Sequence, residues 1–126
     1  MKKSTVLAAL AALAQETRLD IFRLLVQKGP EGMAAGEIGE RLRQPPPTLS
    51  FHLNQLRFAG LLQSRRESRS IIYSANYKTM NAVLGYLTEN CCGGRVDLCA
   101  PQPAAAPATL SAARPRVRST GNKSQG

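Results

Sequence analysis

Pro47-Thr48-Leu49-Ser50-Phe51-His52-Leu53-Asn54-Gln55-Leu56 places a leucine at every third or fourth position. That is the spacing of one helix face, so Leu49, Leu53 and Leu56 form a stripe turned to a core. The opposite side then shows Pro47, Phe51 and Asn54, with Thr48, Ser50 and Gln55 on the flanks. Hydroxyls and amides suit base edges and phosphates, and an apolar ring such as Phe51 suits a thymine methyl. Short side chains let such a helix lie deep in a major groove. His52 is the single histidine. It fits helix packing or a phosphate contact better than catalysis, and it is counted with the DNA-facing set. Ser50 and His52 stand two apart, point in different directions, and make no catalytic pair.

Immediately upstream, Gln44-Pro45-Pro46-Pro47 reads as a turn, and Gln44 joins the candidate DNA contacts. Proline is tolerated in a first helical turn, where amide hydrogens have no partners. Before it, residues 34–42 read as a short helix with Ile38 and Leu42 one turn apart. Gly60 is placed to end the quoted helix in a left-handed cap.

Further upstream, Thr17 is the expected cap of another helix, with Asp20 near its positive end. Ile21, Phe22, Leu25 and Val26 give it an apolar face, and Gly29-Pro30 ends it. The Ala-rich run before it reads as a first helix with Val6, Leu10 and Leu13 on one face, passing without a break into the second. The same residues admit a secretory-signal reading: Met1-Lys2-Lys3, an apolar run, and Ala12-Leu13-Ala14 as a cleavage triplet. The run is far too short to span a membrane.

Downstream the periodicity changes to strands. Residues 61–66 and 70–74 flank Glu67-Ser68-Arg69 and read as a β-hairpin. It carries Arg65, Arg66 and Arg69, suited to phosphate or minor-groove contact. A fifth helix over residues 77–90 has Met80, Val83, Leu84 and Leu87 on one side. Two helices, a helix-turn-helix pair, a basic hairpin and a last helix is the order of a winged helix-turn-helix, mostly α with a small β-hairpin. The expected domain is residues 1–99.

The net charge of the 126-residue chain is +9. A basic body favours an anionic partner, a nucleic acid or a membrane surface, and the helix-turn-helix order makes double-stranded DNA the expected one. Residues 100–126 are Ala, Pro, Ser, Arg and Gly with almost no large apolar side chain, so they read as a disordered tail. An enzyme finds no support: there is no phosphate-cradling loop, no Cys-x-x-Cys pair and no acid–base constellation.

Cys91, Cys92 and Cys99 are the only cysteines, and all fall within nine residues. An odd count cannot pair fully within one chain, so a reducing cytoplasm is the simpler setting. The cluster reads as a sensor for a thiol-seeking ion.

Residues 13–25, 47–56 and 59–62 resemble the ArsR/SmtB family of metal-sensing repressors, a likeness that covers about residues 6–92. The resemblance implies a homodimeric winged helix, joined through its first and last helices, that leaves its operator when an inducer binds. Two family sites are missing. Met33-Ala34-Ala35-Gly36-Glu37 stands where arsenic sensors carry a Cys-Val-Cys run, and Val83, Leu84 and Leu87 stand where zinc sensors carry His and Asp. The cysteines instead follow the last helix, as in a branch of arsenic repressors with Cys-Cys and a later Cys. Ser68 stands where the family's hairpin turn often has Gly.

Trivalent arsenic or antimony is soft and binds three thiolates in a trigonal pyramid, a count that Cys91, Cys92 and Cys99 match. Zinc seeks four ligands. Zinc, cadmium or a thiol redox switch are the alternatives, and methylated arsenic would need only two thiols.

Overall fold

The computed structural model describes residues 1–95 and Leu98. Met1–Glu89 form one compact unit, and Asn90 opens a second. The expected disorder of residues 100–126 lies outside the described residues.

Helix α1 (Lys3–Leu13) is alanine-rich, and alanine is the best helix former. Val6, Ala9 and Ala12 are its buried residues, whereas Leu10 is more than a third exposed and Leu13 half-buried. The expected Val6/Leu10/Leu13 face is therefore rotated. Small alanines allow close helix approach, and the leucines are left at the edge. Nor does α1 run unbroken into α2 (Glu16–Lys28). Ala14 leaves helical geometry, Gln15 is extended, and the Gln15 side chain accepts from the Arg18 amide at 2.9 Å. Gln15, not Thr17, caps this helix. Ile21, Phe22 and Leu25 are its buried face, and Gly29 ends it at φ 102°.

A two-residue strand β1 (Met33–Ala34) precedes α3 (Ala35–Leu42). Strands β2 (Leu62–Glu67) and β3 (Ser70–Ala75) form the hairpin, and the sheet order is β1-β3-β2, all antiparallel. Met33 lies opposite Tyr73, and Leu62 opposite Ala75. Gly32 makes β1 possible: its φ is 72°, and a Cβ there would collide with the Tyr73 carbonyl oxygen. At the hairpin tip Ser68 takes φ 55°, the conformation glycine usually supplies.

Between α3 and α4 (Pro46–Phe58), Arg43 turns left-handed at φ 55° and the Gln44 amide donates to Gly39 O at 2.9 Å. Pro45 is the N-cap of α4, with Pro46 and Pro47 opening the first turn. Its end is closed by Gly60 at φ 83°, and the Leu61 amide reaches back to Leu56 O at 3.0 Å. Asn76 caps α5 (Tyr77–Leu87) by accepting from the Thr79 amide at 3.2 Å. This helix stops short of the expected residue 90. Ile21, Leu25, Ile38, Leu53, Leu56 and Leu61 are almost wholly buried and form the centre of one core. The Tyr77 hydroxyl ties α5 to α2 by donating to Val26 O at 2.9 Å. Among the described residues, no helix is long and apolar enough to cross a membrane.

Candidate nucleic-acid interface and thiol pair

Leu49, Leu53 and Leu56 are buried, as their spacing requires, and they anchor α4 on α2 and α3. The outward side is polar with one ring. Pro47, Thr48, Ser50 and Gln55 are exposed, Asn54 is half-buried, and Phe51 is 57% exposed. These residues share one surface of the helix that follows the α3–α4 turn. Gln44 sits half-buried in that turn, its amide nitrogen 3.4 Å from Leu42 O.

His52 corrects the sequence reading. It is 8% exposed and points inward, its Nδ1 3.3 Å from Arg18 Nη1. Two positions before Asn54 on a helix is some 200° away, which puts His52 beside the leucine stripe. Arg18 Nε also donates to Ala12 O at 2.7 Å, so this guanidinium joins α1, α2 and α4. Burial, and then the Arg18 charge, hold the His52 pKa below its ordinary 6.5.

The hairpin arginines are not equivalent. Arg65 Nε donates to Glu67 at 2.7 Å and Nη2 to Glu31 O at 2.8 Å. Its guanidinium is engaged within the hairpin and with the loop that precedes β1. Arg66 alternates to the other face of the strand, and Arg69 stands at the tip; both are exposed. Arg57 was missed from sequence. It donates to Asn54 Oδ1 at 3.4 Å and lies 5.1 Å from the Phe58 ring centre, so it holds an outward amide in place. Its one signal was the i, i+3 spacing from Asn54.

On the side formed by α1, α2 and α5, an apolar groove of about 360 Å³ is lined by Leu10, Leu13, Leu19, Met80, Leu84 and Leu87, among others. Leu84 and Leu87 are 52% and 57% exposed. The last-helix stripe expected from the sequence thus faces this groove, with only Val83 buried in the core.

In the second unit, Cys91–Gly94 form a single 3-10 turn. Asn90, Cys92 and Gly93 have positive φ, which coils the chain tightly enough to bring Cys91 Sγ and Cys92 Sγ to 3.3 Å. Both thiols are free and half-buried. Among the described residues, no three His, Cys, Asp or Glu side chains gather as an ion site. Cys99, the expected third thiol, lies outside the described residues.

A helix-turn-helix domain model matches residues 13–65. The chain is 39% identical over 77 residues to the uncharacterized HTH-type transcriptional regulator YceK of Bacillus subtilis (strain 168), covering 60% of this chain and 76% of that protein. Its fold is similar to an ArsR-like transcriptional regulator from Rhodococcus sp. RHA1, at TM-score 0.62 and 28% identity over 75% of this chain and 85% of that one. It is also similar to the homodimeric winged helix-turn-helix DNA-binding domain of Mb0332 from Mycobacterium bovis, a possible ArsR-family regulator. There the TM-score is 0.57 and the identity 27%, over 69% and 81% of the two chains.

Proposed function

This chain belongs to the ArsR/SmtB family of winged helix-turn-helix transcriptional regulators, and we propose that it is a homodimeric repressor released from its operator by trivalent arsenic or antimony. The 3.3 Å separation of the Cys91 and Cys92 sulfurs carries this reading. Two free thiols this close, directly after α5, are placed to close on one soft ion, and trivalent arsenic or antimony would take Cys99 as the third thiolate.

The outward face of α4 reads base edges, while Arg66 and Arg69 meet phosphate. Two such heads are spaced by a dimer whose interface is the apolar groove of α1, α2 and α5. Burying exposed leucines gives that association its driving force, and the similar Mycobacterium bovis domain is homodimeric. Half-sites on DNA lie about one helical turn apart, so a change in head spacing weakens binding. Gathering three thiols onto one ion orders the chain directly after α5, the helix that sets this spacing. The ion must favour the DNA-incompetent dimer by a few kcal/mol to act as a switch.

The test is a gel shift on the DNA upstream of the protein's own gene, with arsenite, antimonite, zinc, cadmium and peroxide in separate lanes. Arsenite and antimonite should release the wild type. Cys91→Ser and Cys92→Ser should bind the operator normally and stay bound. Release by arsenite in a variant lacking all three thiols would overturn the proposal, and release by peroxide or zinc alone would replace it with a redox or zinc-class switch.

A further inference from the structure

A cleft of about 470 Å³ opens between α3, α4 and strand β3, a volume suited to a small organic ligand. Pro46, Leu49, Leu53 and Ile71 supply apolar walls. On the α3 side the cleft is lined by Gly36 and Gly39, and it is open only at the first: a Cβ at Gly39 would press on Leu49 Cδ2 and the Gln44 carbonyl oxygen at 3.2 Å. A Cβ at Gly36 would meet no atom within 4 Å.

Three polar side chains at this cleft, Tyr73, Glu40 and Ser50, have no hydrogen-bond or ion-pair partner among the described residues. Tyr73 is only 9% exposed, yet among the described residues its hydroxyl makes no hydrogen bond. The Tyr77 hydroxyl, by contrast, is bonded at 2.9 Å. Glu40 is the one charged side chain lining the cleft, and among the described residues it has no basic partner. Glu37, one turn earlier, is held by Arg41 at 3.2 Å. In a chain of net charge +9, an unpaired carboxylate beside an apolar cleft and an unpaired hydroxyl is an arrangement that selects for positive charge.

We propose that this cleft binds a small organic cation. Its compact apolar body lies between Leu49, Leu53 and Ile71, its protonated nitrogen meets Glu40, and its polar edge satisfies Tyr73. The site is distinct from the thiol pair; Gln44 and Ser50 of the DNA-facing set also line it, so it is tested on the free protein without DNA.

The probes are benzylammonium, its neutral counterpart benzyl alcohol, and the anion phenylacetate, titrated into the full ¹⁵N-labelled chain. Benzylammonium should shift the amides of Gly36, Gly39, Ile71 and Tyr73 saturably, binding about tenfold tighter than benzyl alcohol, with phenylacetate inert. Glu40→Gln should erase the preference for the amine and keep the fold. Gly36→Leu should abolish binding of both, because the leucine fills the empty α3 side. The proposal is overturned if these amides do not shift saturably, if phenylacetate binds as well as the amine, or if a folded Gly36→Leu protein binds as the wild type does.

Discussion

Arg18 Nη1 lies 3.3 Å from His52 Nδ1, so the α4 histidine is held by a guanidinium from α2 that also grips the last turn of α1 at Ala12 O. Arginine has no lone pair to accept a proton and stays charged, so it must donate. His52 Nδ1 therefore accepts, and the ring proton sits on Nε2. A protonated ring would set two cations face to face inside the protein.

Stability should therefore fall in mild acid. The folded His52 pKa is lowered, first by burial and then by Arg18, below the 6.5 of the unfolded chain. As pH drops past 6.5 the unfolded chain takes up a proton that the folded one refuses, which favours unfolding. The contribution is fully present above pH 6.5 and declines as pH falls toward the folded pKa. Urea midpoints at pH 7.5 and 5.5 should differ more for the wild type than for His52→Gln. Equal differences in the two proteins would remove His52 as the cause.

Arg18→Ala should destabilise the fold by about 2–3 kcal/mol, the usual loss for hydrogen bonds that involve a charged group. Because Ala12, Arg18 and His52 belong to three helices, the loss should appear as a shift of the whole urea transition and not as fraying of α1 alone. Hydrogen exchange confined to α1 in the variant would contradict this.

The hairpin arginines should separate in salt-dependence measurements of operator binding. Arg66→Ala and Arg69→Ala should each reduce the log–log slope by about one unit, as expected for the loss of one phosphate contact. Arg65→Ala should leave the slope nearer the wild-type value and instead loosen the hairpin, because its guanidinium is bound to Glu67 and to the Glu31 carbonyl. An equal slope change in all three would show that those bonds yield to DNA.

Ser68→Gly should stabilise the protein by about 0.5–1 kcal/mol, since a left-handed residue with a Cβ carries roughly 1–2 kcal/mol of strain and glycine gives back part of the gain as chain entropy. Gly32→Ala should do the reverse and more strongly, because its Cβ meets the Tyr73 carbonyl. Thermal midpoints of the two variants should move in opposite directions.

Leu84→Glu should shift the protein from dimer to monomer in analytical ultracentrifugation, and operator affinity should fall with it. The side chain is 52% exposed in the single chain and contributes little to its core. A variant that remains dimeric would move the interface away from the groove.

The reading helix was legible because its signals are strong: leucines at helical spacing, prolines before it and glycine after it. The hairpin followed from Ile71, Ile72 and Tyr73 beside arginine-rich alternation. Strand β1 was not legible, since two residues carry no period. Its existence depends on Gly32 passing under the distant Tyr73 carbonyl. The cap at Gln15 was passed over for Thr17 because glutamine is a weak capping type, and only the fold shows its side chain bent back to the Arg18 amide. In sequence His52 fits either helix packing or a phosphate contact, although its place three after Leu49 and four before Leu56 already sets it beside the leucine stripe. The partner that draws it in, Arg18, is 34 residues away. Arg65 and Arg66 look alike in sequence, and only the strand register and Glu31 distinguish them.

The three prolines opening α4 have one more effect. Most helix entrances display a cluster of spare amide hydrogens that can clasp an anion. With proline at the N-cap and the next two positions, only Thr48 retains such a hydrogen at this entrance. In the proposed complex this helix therefore has little to grip a sugar–phosphate strand end-on, and holding the strand would fall to side chains instead.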